Sequence, residues 1–303
     1  MKRRLLYLLV LLMAMVTGMR AQAPSLSTPL TIEATTEGTI IVTDPKEGMK
    51  YSLNDGVKNT MSGNIEINVA AGDKVQLYGD GTNITKYYGT CITDGTAGCI
   101  AYGNIMSLVD EENFATATTL SAAYAFSGLF TGNTTLTDAS GLLLPATTLN
   151  SYCYSEMFKG CTALTAAPAL PATQLGDACY HMMFQNCSAL TAAPELPATT
   201  LTGGCYNRMF AGCTNLTSAP ELKAEKLLGY CYQQMFDGCS KLASVTIMAT
   251  SGFSTTNFCT YNWLRNAGTA VEGTKAVYTF STANWPSGDY GIPTGWDRKN
   301  IDE

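Results

Sequence analysis

Four stretches of the chain are one stretch written repeatedly. CYSEMFKGCTALTAAPALPATQL begins at Cys153; CYHMMFQNCSALTAAPELPATTL, CYNRMFAGCTNLTSAPELKAEKL and CYQQMFDGCSKL begin at Cys179, Cys205 and Cys231, a period of 26 residues throughout. Recurrence this strict marks a chain of units that each lean on the next. The constant positions are Cys153, Met157, Phe158 and Cys161; Cys179, Met183, Phe184 and Cys187; Cys205, Met209, Phe210 and Cys213; and Cys231, Met235, Phe236 and Cys239. Leu164, Leu190, Leu216 and Leu242 extend the register. A degenerate unit precedes them at Phe126, Leu129, Phe130, Leu136 and Leu149, with a two-residue insertion between Asp138 and Gly141, and another follows at Cys259, Trp263 and Leu264. Departures at both ends are what terminal units look like in a stacked array.

A single unit cannot fold alone, because burying its few apolar side chains returns less than ordering its backbone costs. Stacking buries both faces of each apolar ridge, which is the energetic logic of a solenoid. Pro168, Pro194 and Pro220 recur in register, joined by Pro171 and Pro197, and mark corners, since proline cannot donate within a ladder. A short strand is expected around Leu164 to Ala167 and its equivalents. The spacing Cys153, Met157, Phe158, Cys161 has helical period and predicts one or two turns of helix on the convex side.

The paired cysteines, eight residues apart, admit several readings. Zinc favours pairs two to four residues apart with convergent partners, copper(I) takes Cys with Met, and an oxidising compartment permits a disulfide within each unit. The reading preferred here is two interior columns of small apolar thiols beside a Met and a Phe column, with no metal and no cofactor.

Between these columns lie positions that change from unit to unit: Ser155, Glu156 and Lys159; His181, Met182 and Gln185; Asn207, Arg208 and Ala211; Gln233, Gln234 and Asp237. Variation inside a strict repeat predicts solvent-facing side chains. If the array reads a ligand, this stripe reads it, or the strand-side Thr165, Thr191, Thr217 and Ser244; a solvated face without a partner is the plainer alternative. The column Tyr154, Tyr180, Tyr206, Tyr232 offers stacking surfaces for sugars or half-buried packing.

The chain opens with Lys2, Arg3 and Arg4, an apolar run from Leu5 to Val16, and small residues at Gly18, Ala21 and Ala23. That is a secretory signal layout, with cleavage expected after Ala21, and the run is too short for a membrane span. Its loss leaves 14 basic against 24 acidic residues, a net charge of −10. No Lys/Arg cluster suits a phosphate backbone, so nucleic acid is a poor partner. The first cysteine is Cys91, far from the leader, so lipid attachment is not expected. An exported chain, secreted or at the cell surface with the periplasm as the alternative, is the expectation.

Residues 22–100 change character: TIIVT, MKYSL, IEINV and KVQLYG alternate apolar and polar positions between DPKEG, NDG, AAGD and GDGTN turns. This predicts antiparallel hairpins in a small β-sandwich. Asp80 and Asn83 of GDGTN offer calcium ligands or simply a turn, and Cys91 and Cys99 can flank a hairpin as a disulfide or as free thiols. The expected organisation is a leader (1–21), the β-sandwich (22–100), a leucine-rich-repeat solenoid of 26-residue coils (101–249) and a C-terminal cap (250–303), an α+β, β-rich chain. The cap holds Trp263, Trp285 and Trp296, all the tryptophan in the chain.

YGNIMSL at 102–108, LLLPATTL at 142–149, the CYxxMFxGC units and GIPTGW at 291–296 together resemble the BspA-like leucine-rich-repeat surface proteins of Bacteroidales-type bacteria. The resemblance covers nearly all of the chain beyond the leader and implies a right-handed leucine-rich solenoid on an exported protein, with adhesion to host proteins or other cells. It brings no catalytic residues. His181 is the only histidine, and no GxSxG, HExxH or phosphate loop occurs. The function expected is therefore non-catalytic binding to a protein or glycan at the cell exterior. A carbohydrate-binding accessory role and a purely structural surface component are the alternatives.

Overall fold

The structure, a computed structural model, describes residues 25–79, 89–120 and 122–301. The expected leader and the Asp80/Asn83 turn lie outside these residues.

The alternating runs near the N-terminus form β1 (Leu30–Ala34), β2 (Gly38–Thr43), β3 (Lys50–Leu53), β4 (Asn59–Thr60), β5 (Ile65–Val69), β6 (Lys74–Tyr78), β7 (Cys91–Thr93) and β8 (Cys99–Asn104). Further on come β9 (Leu136–Leu143), β10 (Ser244–Thr246), β11 (Lys275–Thr279) and β12 (Trp296–Asn300). One sheet runs β4-β3-β6-β1-β8-β9 and a second β5-β2-β7. Register follows the apolar alternation: Ile32 lies opposite Val75 and Ala101, and Ile40 opposite Ile67. All five side chains are buried. β9 joins β8 in parallel, so the larger sheet continues through the junction at residue 100 where the sequence changes character.

Between β9 and β10 the described residues contain neither strand nor helix, and the whole described chain has no α-helix, only two short 3-10 segments at Ile105–Leu108 and Gly288–Tyr290. This overturns the expected helix-bearing leucine-rich-repeat solenoid: the three sheets are small and none winds into one. The expected strand near Leu164 reduces to isolated bridges, Asp138 to Ala166 and Ala192 to Ser218.

What replaces the helix is a run of turns with a divided donor set. The N–H groups of Ser155, Met157 and Lys159 donate three residues back, to Tyr152, Tyr154 and Glu156. Those of Glu156, Phe158 and Gly160 donate instead to the next unit, at His181, Met183 and Gln185 (2.8, 2.9 and 2.7 Å). The physical reason is spacing. Successive Phe rings, Phe130 to Phe158 to Phe184 to Phe210 to Phe236, stack with centroids 5.2 to 5.7 Å apart and planes within 5°. Backbones can bond across a gap of about 5 Å, whereas packed helices need about 8–10 Å between axes. A helix would also keep its interior N–H groups for itself, leaving none to bond one unit to the next.

The alternation costs strain. Tyr152, Tyr154 and Glu156 have φ of 60°, 60° and 57°, a region L-residues enter at about 1–2 kcal/mol each. The stack pairs with β9 at one end, where Thr165 N–H donates to Thr137 O, and with β10 at the other, where Leu222 N–H donates to Thr246 O. β10, β11 and β12 form a parallel sheet in the C-terminal region. The segment before β12 bonds to the last unit through Trp263, whose indole Nε1–H donates to Gly291 O at 2.6 Å, and through Thr260 Oγ1, which donates to Tyr290 O.

Candidate functional site

The variable positions are the natural place to seek a site, and each is fixed by the turn geometry just described. They fall in one row across the stack, yet the row is not the freely solvated stripe that variation suggested. Ser155 and Glu156 are only 1% and 5% exposed, and Ala211 is buried. Lys159, His181, Met182, Gln185, Asn207, Arg208, Gln233, Gln234 and Asp237 are half-buried. The cause is the close unit spacing, which leaves each side chain covered by its equivalent in the next unit.

These groups bond both along the stack and within their own units. Asn207 Nδ2 donates to Gln233 Oε1 at 2.8 Å, and Arg208 Nε donates to Gln234 Oε1 at 2.7 Å. Gln234 reaches Asp237 at 3.4 Å, and Arg265 pairs with Asp237. At the other end Lys159 pairs with Glu156 at 2.8 Å, and Ser155 Oγ donates to His181 O. His181 lies in the middle; burial lowers its pKa, Glu156 opposes that effect, and Arg208 and Lys159 add to it. The arrangement is an ordered ladder of amides and charges with a variable sequence, suited to hydrogen-bonded recognition.

On the strand side, Thr165, Thr191, Thr217 and Ser244 are exposed. Two of their hydroxyls are engaged along the stack, Thr165 Oγ1 to Thr137 O and Thr217 Oγ1 to Thr191 O. The Tyr column is fully buried, with Tyr154, Tyr180, Tyr206 and Tyr232 at most 1% exposed and centroids 5.9 to 6.0 Å apart. It presents no face to a sugar. The exposed aromatic side chains stand two residues earlier, at Tyr152 and Tyr230, each stacked on one face, by Tyr124 and Phe258; an aromatic residue directly before the repeat cysteine was the signal for them.

All the sixteen constant Cys, Met and Phe positions of the four units are completely buried. One cysteine column bonds backward: Cys161, Cys187, Cys213 and Cys239 donate from Sγ to the carbonyls of Phe130, Phe158, Phe184 and Phe210 at 3.0 to 3.1 Å. Burial pushes these thiols up, Cys239 to about 12. All eleven cysteines are free thiols, Cys91 and Cys99 included. Cys91 Sγ donates to Gly128 O at 3.2 Å, and Cys99 Sγ lies 3.9 Å from Thr135 Oγ1. Among the described residues no group of three or more His, Cys, Asp or Glu is placed to hold a metal ion, and no helix is long and apolar enough to cross a membrane. In comparisons with known proteins, no family model matches the chain, and neither a curated protein nor a solved structure does.

Proposed function

We propose that the chain is an exported, non-catalytic binding module whose polar ladder contacts a protein at the cell exterior, in line with the adhesive role its motifs suggest by resemblance to BspA-like proteins. One observation carries the reading. The interior columns are constant from unit to unit, while the row from Lys159 through His181, Arg208 and Gln234 to Asp237 varies, and its Asn207, Arg208 and Asp237 are tied to the next unit by side-chain hydrogen bonds. Side chains already ordered before contact lose little entropy on binding. Charges at such a row tune partner choice more than raw affinity.

The test is binding of residues 22–303 to panels of extracellular proteins and of glycans, with a stripe variant (Gln185→Lys, Arg208→Glu) whose melting is measured in parallel. Binding to a protein that the folded variant loses supports the proposal. Binding unaffected by the variant, or none, overturns it. A glycan-binding reading rests on a different feature, the exposed faces of Tyr152 and Tyr230. It requires glycan binding that Tyr152→Ala or Tyr230→Ala abolishes while the stripe variant retains it.

A further inference from the structure

In each unit the N–H groups of alternate residues reach forward, and two of these positions end at a cavity in the last unit. From the Phe position, Phe158, Phe184, Phe210 and Phe236 donate to Met183, Met209, Met235 and Trp263. From the position two residues on, Gly160, Asn186, Gly212 and Gly238 donate to Gln185, Ala211, Asp237 and Arg265. All eight bonds run one way, so this edge of the stack ends in unpaired donors, as a helix does at its N-terminus. In the last unit these positions are Leu264 and Asn266, and neither N–H has a partner among the described residues. The cap meets this edge beside them, where Asn262 N–H donates to Asp289 O, Thr260 Oγ1 to Tyr290 O and the Trp263 indole to Gly291 O.

Leu264 and Asn266 both line a cavity of 360 Å³ between the last unit and the cap. Leu264 is 2% exposed, and an unpaired N–H on a buried residue carries a desolvation cost that a ligand or water must relieve. Lys275 also lines the cavity, above the face of Trp296, with its Nζ 5.8 Å from the ring centroid. No carboxylate lies within ion-pair range of Lys275 among the described residues. Arg265 stands in the same wall but is bound to Asp237, and Asp289 contributes one negative charge. Parallel backbone donors together with a free ammonium form an anion-binding concavity.

We propose that this cavity binds a compact oxyanion, a carboxylate, phosphate or sulfate group, through the N–H groups of Leu264 and Asn266 and the ammonium of Lys275. The site adjoins the end of the polar ladder at Arg265 and does not depend on the function proposed for that ladder.

The experiment is a titration of the isotopically labelled chain with sodium sulfate, phosphate and acetate at constant ionic strength, following amide resonances. The Leu264 and Asn266 resonances should move saturably with one dissociation constant, while those of Phe236 and Gly238, already bonded, stay in place. Lys275→Gln should weaken binding about tenfold, the worth of one charged hydrogen bond, whereas Lys299→Gln on β12 should leave it unchanged. Preference for acetate or for sulfate distinguishes a planar from a tetrahedral group. A sulfated monosaccharide bound more tightly than free sulfate places the group on a glycan; equal affinity identifies the free ion. Absence of saturable movement at Leu264 and Asn266 overturns the proposal, as does binding indifferent to Lys275→Gln. If that variant fails to fold, the titration of the unaltered chain still decides.

Discussion

The column Gly132, Gly160, Asn186, Gly212, Gly238, Asn266 takes positive φ at every member, from 56° to 78°. Glycine occupies that region freely, and asparagine is among the few other residues that visit it routinely, so this column states the backbone requirement in the sequence itself. A Cβ on Gly238 would find its nearest neighbours at 3.7 Å, an ordinary contact. Gly238→Ala should therefore cost only the conformational term, about 1–2 kcal/mol in denaturant unfolding. Gly212→Ala should cost more, because its Cβ would collide with Asn186 Oδ1. Equal, negligible effects would show that the turn is not formed as described. Tyr206 gives a second test: its hydroxyl is buried without a partner among the described residues. Tyr206→Phe should leave stability unchanged or raise it by up to about 1 kcal/mol. A marked loss would reveal a partner for that hydroxyl.

At the scale of the element, the repeat register and the buried columns were legible because identity every 26 residues exposes which positions packing constrains. The local conformation was not. Cys153, Met157, Phe158 and Cys161 satisfy a helical period, but the same pattern arises from turns whose αL residues reverse side-chain direction. The Gly/Asn column marked those turns, and period alone cannot weigh it against the pattern. The stripe was misjudged for a related reason: variation shows that a position tolerates change, whereas spacing near 5.5 Å decides that Ser155 and Glu156 are covered.

The cysteine columns give a pH prediction. Burial raises the Cys239 thiol from 9.0 to about 12 and raises Cys187 and Cys213 as well. The folded chain therefore holds neutral thiols at a pH where the unfolded chain ionises. That contribution to stability is complete below pH 9 and is lost as pH rises toward 12. Melting temperature should fall over this window, and Cys239→Ala should reduce the slope. An unchanged slope would mean that the thiol ionises equally in both states. In the native chain at neutral pH, alkylation followed by mass spectrometry should leave Cys161, Cys187, Cys213 and Cys239 unmodified until denaturant is added.

For the whole molecule, cohesion lies between units. Each takes its forward acceptors from the next and is closed by sheet at both ends, β9 on one side and β10 on the other. Ending the chain after Ala198 would strip the forward acceptors of Phe184 and Asn186, which are Met209 and Ala211. Such a chain should lose cooperative unfolding, and a well-folded half would contradict the dependence of each unit on its successor. The cavity at Leu264 and Asn266 belongs to this scale too, since it exists where the forward donors run out.

The claim that turn-built units are joined along the Phe edge by forward backbone bonds is tested most directly by residue-resolved hydrogen exchange on the native chain. The amides of Phe158, Phe184, Phe210 and Phe236, all donors to the next unit, should exchange together and only through global opening, while that of Leu264 exchanges faster. Fast exchange at the four Phe amides, or protection at Leu264 equal to theirs without added anion, would contradict it.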